Sequence, residues 1–166
     1  MGLASFLTTA TTSWSAYYSD HQMVSLMIRY IHLAALMVGG GTALAIDRVV
    51  LGTARRSDHD RRHAAVTALK GSHRVVVPAL VVVTATGILM TAADWTTFEA
   101  SRLFWSKMIA FGLLVINGMV LVVAERQYAR HSHVPLGWRR VVLASGTSSL
   151  LWLLILWIGE WLTIAA

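Results

Sequence analysis

The chain has 166 residues, of which 56% are hydrophobic and only 13% charged; in ordinary soluble domains about a quarter are charged. It has no cysteine, which excludes disulfides, thiolate metal centres, iron–sulfur clusters and thiol nucleophiles. A net charge of +6 would suggest nucleic acid in a soluble chain, but the hydropathy pattern excludes a soluble chain.

Four stretches carry no Asp, Glu, Lys or Arg: 30–46, 75–93, 108–124 and 141–159. A hydrocarbon core of roughly 30 Å needs about 20 helical residues, so each stretch, with its flanks, is long enough to span. Residues 1–22 come first, rich in Ser, Thr and Ala, with Asp20 as their only charge. They lack the basic start of a signal peptide. With Trp14, Tyr17 and Tyr18 they read as an interfacial segment containing a short amphipathic helix. The first span is predicted over about 23–51. Segment 51–73 holds the run Arg55-Arg56-Ser57-Asp58-His59-Asp60-Arg61-Arg62-His63 and reads as a solvated turn or helical extension. The second span is predicted over about 74–93. Pro78 falls in its first turn, where a missing N–H costs little. The short link Asp94–Arg102 makes an antiparallel hairpin with a third span over about 103–126. A connection over 127–138, with His131 and His133, leads to the fourth span over about 139–164. The expected fold is an all-α membrane protein, a single domain over 1–166 built as a four-transmembrane-helix up-and-down bundle.

Charge sets the expected orientation. Eleven of the 14 basic residues lie between the first and second or the third and fourth uncharged stretches. The positive-inside rule puts both basic connections in the cytoplasm and both termini outside. The anionic inner leaflet is then the partner of this charge, and nucleic acid is not a partner. Trp95, Trp105, Trp157 and Trp161 fall at the outer ends and Trp138 at an inner end, as an aromatic belt would. Trp152 lies deeper, as packing or as the wall of a flat-ligand site.

Helical spacing of three and four gathers polar and small residues on one face of each span. These are Arg29, His32, Gly40 and Asp47 on the first, and His73, Thr84, Gly87 and Asp94 on the second. The third offers Lys107 and Asn117, the fourth Ser145, Ser149 and Glu160. Such faces should turn inward. Ionisable groups then gather at two levels. Arg29, His32, Asp94, Lys107 and Glu160 are outermost, where Lys107 could pair with Asp94 or Glu160. Asp47, Arg48, His73, Arg74, Glu125 and Arg126 are innermost. An ionisable residue in a span is a functional candidate.

Of seven histidines, only His32 lies well within a span. Imidazole in a bundle is a natural ligand for haem iron or copper. His32 is therefore the candidate metal ligand, with Met90 or Met108, at a similar level, as a weak second axial ligand to haem b. His21 would reach the site only if the chain turned back. Lys107 and Arg29 are the candidate partners of the propionates. His59 and His63, and His131 and His133, read as solvated residues.

The run Tyr30-Ile31-His32-Leu33-Ala34-Ala35-Leu36-Met37-Val38-Gly39-Gly40-Gly41, closed by Asp47-Arg48, is followed by Thr86-Gly87-Ile88-Leu89 and by Leu103-Phe104-Trp105-Ser106-Lys107-Met108. Over roughly residues 28–125 this resembles small bacterial membrane proteins of the copper-resistance D (CopD) type and the HemJ type of protoporphyrinogen oxidase. It is also similar to a bacterial four-helix family with a Phe-Trp-x-Lys helix start. The resemblance implies a bacterial inner (plasma) membrane and singles out His32, Arg48 and Lys107. It implies haem or porphyrin handling by a membrane oxidoreductase, with quinone or another redox partner. Two alternatives stand beside it. One is a cofactor-free accessory subunit, in a homo-oligomer or a larger membrane complex. The other is copper or ion transport.

Overall fold

A computed structural model describes residues 3–54, 59–130 and 135–165. Six helices form in chain order: α1 (Leu3–Asp20), α2 (Gln22–Thr53), α3 (His59–Ala93), α4 (Trp95–Ala100), α5 (Arg102–Arg130) and α6 (Pro135–Ala165). The helices α2, α3, α5 and α6 are long and apolar enough to cross a membrane. The fold is the all-α four-span bundle expected. In a bilayer each spanning segment must satisfy its own backbone, and a helix does so. Outward faces are correspondingly apolar: Met37, Val81, Ile116 and Leu150 are all exposed, as lipid-facing residues should be.

The helix α2 packs along α3 on one side and α6 on the other, and α5 packs along α6; α3 and α5 meet only briefly. Lipid tails give helices no hydrophobic reason to associate, so close approach and hydrogen bonds must hold them together. Both occur here. A Cβ placed on Gly39 of α2 would lie 2.7 Å from the Ala79 Cβ of α3. One on Gly40 would lie 3.0 Å from the Trp152 ring of α6. Trp152 is therefore packing, and its indole is nearly fully buried. Asn117 Nδ2 of α5 donates to the Ala144 carbonyl of α6 at 2.9 Å.

The helix α3 begins at His59, well before the expected start near 74. Ala65, Val66, Leu69 and Ser72 recur at helical spacing and are buried. The first three join Val50, Tyr128, Trp138 and Val141 in a second core that extends past the inner ends of the uncharged stretches. Pro78 accordingly sits in the middle of α3, not in its first turn. It removes the N–H that would bond the Arg74 carbonyl, a loss that spanning helices tolerate when neighbours compensate. Trp138 is a core residue and not an interfacial anchor: its ring packs on Tyr128 at 5.7 Å between centroids, and the Arg62 guanidinium lies 5.4 Å from its centre. Trp95, Trp105, Trp157 and Trp161, the expected outer belt, are exposed.

The N-terminal segment is helical, as expected. It turns into α2 at His21, whose ring stacks on Tyr17 at 4.1 Å. The helix α1 lies against α3, where Trp14 Nε1 donates to the Leu89 carbonyl at 2.8 Å. The link after Ala93 contains α4. Residues 55–58 of the basic run, and His131 and His133, lie outside the described residues.

Candidate functional site

A cavity of about 420 Å³ lies at the α4 end, where α3 and α5 stand apart. Its walls are mostly apolar and include Phe98, Phe104 and Phe111, with Thr11 of α1 at its edge. Exposed Ile88 and Met108 also line it, so it opens sideways toward the surrounding lipid.

His32, Met90, Lys107 and Met108, from α2, α3 and α5, all line this cavity. His32 comes from the middle of α2, and Gly87 of α3 leaves room for its ring: a Cβ there would sit 3.6 Å from His32 Cε1. The imidazole is anchored by Thr86, with Nδ1 and Oγ1 2.8 Å apart. The Thr86 hydroxyl also approaches the Val82 carbonyl at 2.7 Å. With its single hydrogen directed to that carbonyl, the Thr86 oxygen is placed to accept from His32 Nδ1–H, and a neutral ring in this arrangement carries its lone pair on Nε2. This is the arrangement that orients a ligating histidine: one nitrogen held as donor, the other free to bind.

Lys107 supplies the cavity's cation. Its ammonium lies against α6, where a Cβ on Gly159 would be 3.4 Å from Nζ. The expected Asp94–Lys107 pair is not formed; Asp94 is exposed at the start of α4. Glu160 is exposed on α6. Arg29 is outside the cavity. It is exposed, and its Nε approaches the Tyr18 hydroxyl at 3.4 Å. Arg48 is exposed and lies sixteen residues further along α2, about 24 Å at 1.5 Å per residue. His21 is held at the helix corner, with Nδ1 3.0 Å from the Tyr17 carbonyl. Among the described residues no three histidines or carboxylates converge as a metal cage.

Sequence reasoning singled out Thr86 only within the Thr86-Gly87 motif of the resemblance, not as the partner of His32. The spacing from His73 selected Thr84 and Gly87, which do line the cavity, while Thr86 is buried against His32 of α2. Its signal lay in the buried Ala79–Val83–Thr86 line, which repeats at four and three. On α6 the expected Ser145 and Ser149 do turn inward, Ser149 onto Asp47, but further along the helix Trp152 and Ile155 are buried while Leu156 and Glu160 face out.

At the opposite end, His73 Nε2 donates to Glu125 Oε2 at 3.1 Å, joining α3 to α5 below the cavity. The chain is thus a four-span membrane protein whose cavity presents one imidazole and one ammonium in an apolar wall. No protein family, curated protein or solved structure matches the chain.

Proposed function

We propose that the cavity binds haem b or a related porphyrin, with His32 as an axial ligand, and that the protein serves electron transfer or porphyrin oxidation. The observation that carries this reading is the Thr86–His32 hydrogen bond, which holds the ring by Nδ1 and leaves Nε2 without a protein partner, in position to ligate. The remaining walls suit such a group. Aromatic side chains match a flat macrocycle, a Met90 or Met108 thioether matches a weak second ligand, and Lys107 matches a propionate. Bound haem supplies one-electron chemistry at its iron. The chain's own part is to orient the imidazole, exclude water with Phe104 and Phe111, and neutralise a carboxylate with Lys107. Arg29 and Arg48 have no part in it.

The test is an absorption spectrum of detergent-purified protein, as isolated and after dithionite. A Soret band and sharp reduced bands are expected, and His32→Ala should lose them while eluting as the native protein does. A colourless protein carrying copper would replace haem with Cu(I), whose soft-ligand preference suits Met90 and Met108. A colourless, metal-free protein would leave the accessory-subunit reading.

The orientation follows from charge. The basic end faces the cytoplasm of the bacterial inner membrane and the α4 end faces outward. Because the chain has no cysteine, single cysteines report this directly. Thr97→Cys on α4 should react with an impermeant maleimide on intact cells, and Thr67→Cys on α3 only after permeabilisation. The reverse pattern would invert the topology.

A further inference from the structure

A second polar site lies deeper, toward the basic end. Asp47 of α2 is almost wholly buried, at 1% exposure. Serines of α6 surround its carboxylate: Ser149 Oγ donates to Oδ2 at 3.4 Å, and Ser145 and Ser148 stand beside it. No cation pairs with it among the described residues. Arg48, its neighbour in the chain, is exposed. A carboxylate taken out of water with no positive partner is far too costly to keep its charge, and such a group neutralises instead.

Next to Asp47 is a small cavity of about 60 Å³. Its polar walls are Asp47, Ser72, His73 and Ser148. A water occupies roughly 30 Å³ and needs two to four polar partners, so both room and partners are present. The Ser72 hydroxyl donates to the Leu69 carbonyl at 2.7 Å, which leaves its oxygen to accept. His73 is 27% exposed while its Glu125 partner is 7% exposed, so the pair reaches from the surface to the cavity wall. Toward the other end the path is shut. Leu36, Val83, Leu114, Trp152 and Ile155 form a dry core cluster between this cavity and the one containing His32.

We propose that Asp47 is a proton-binding site loaded from the basic end through His73, Glu125 and water in this cavity. The imidazole holds Glu125 through Nε2–H and takes a proton on Nδ1. It passes that proton to cavity water, and the water passes one to an Asp47 oxygen. The imidazolium returns to neutral, the water is unchanged and the carboxylate becomes a carboxylic acid. The groups facing Asp47 are few: His73 and Ser72 on α3, with Glu125 of α5 behind His73, and only hydroxyls on α6. No other charged group stands between Asp47 and the basic end among those that line the cavity. The site is independent of what the outer cavity binds.

Infrared difference spectroscopy on the protein in lipid bilayers tests this. At neutral pH the wild type should show a protonated-carboxyl C=O band that shifts when H₂O is replaced by D₂O. Asp47→Asn should lose that band. His73→Gln, which keeps a donor for Glu125 but cannot titrate, should keep the band and slow its D₂O shift several-fold. Three results would overturn the proposal: no such band in the wild type, a band lost in Glu125→Gln but kept in Asp47→Asn, or an unchanged exchange rate in His73→Gln. The last needs only the wild type and His73→Gln, so it decides even if Asp47→Asn fails to fold.

Discussion

Gly39→Leu should leave little folded protein, whereas Gly41→Ala should behave as the wild type. The two glycines are two residues apart, yet one faces α3 and the other faces open space. A Cβ on Gly39 would meet the Ala79 Cβ at 2.7 Å, while one on Gly41 would meet nothing within 4 Å. Neither Gly39 nor Ala79 has a flexible side chain that can move aside, so the helix axes must separate. Overpacking of this kind costs about 1–3 kcal/mol even for small additions. Trp152 lies 4.0 Å from the Cβ added at Gly39, so the neighbouring Gly40–Trp152 contact would be disturbed as well. Gly39→Ala should therefore lower the melting temperature measurably in detergent. Adding Ala79→Gly should restore most of the loss, the coupling expected of residues in contact. A Gly39→Ala protein that melts with the wild type would show that the two helices do not approach this closely.

On the proposed haem reading, Thr86→Val should weaken haem binding about 10–100-fold, the usual effect of removing a partner that orients a metal-bound histidine. Valine keeps the shape of threonine but cannot accept from His32 Nδ1–H. The ring would then be free to turn or to change tautomer. Thr86→Ser should retain most of the affinity. The check is a titration of haem into apoprotein, followed by absorbance, with the melting temperature as a control for folding. Equal affinity in Thr86→Val would mean that Thr86 does not position His32.

The spans were legible because their lengths are set by the bilayer, which acts on composition alone. Much of the site was legible for the same reason. His32, Met90, Lys107 and Met108 fall at one depth on three helices, and depth can be counted along a sequence. Rotation about the helix axis was harder. His32, Leu36 and Asp47 mark the inner line of α2, and Leu114 and Leu121 that of α5. The segment Val75–Val83 is apolar on every side, and lipid accepts apolar residues as readily as the bundle does. The hydropathy of α3 therefore does not say that Thr84 borders the cavity while Thr86 packs against α2. Neighbouring helices decide that, through Gly39 against Ala79. The polar start of α3 hid a different feature. Charges there obscured the stripe of Ala65, Val66 and Leu69, which carries the bundle core past the end of the apolar stretch.

The sparse contact between α3 and α5 determines where a ligand comes from. The two helices part beside Ile88 and Met108, and they are joined again by His73 and Glu125. The doorway is therefore lateral, and its antechamber is the hydrocarbon itself. A lipophilic molecule reaches His32 after partitioning into the membrane, so the concentration that governs occupancy is its mole fraction among the lipids. Diluting the same protein with more bilayer should lower occupancy at a fixed total amount of ligand, although the volume of water has not changed.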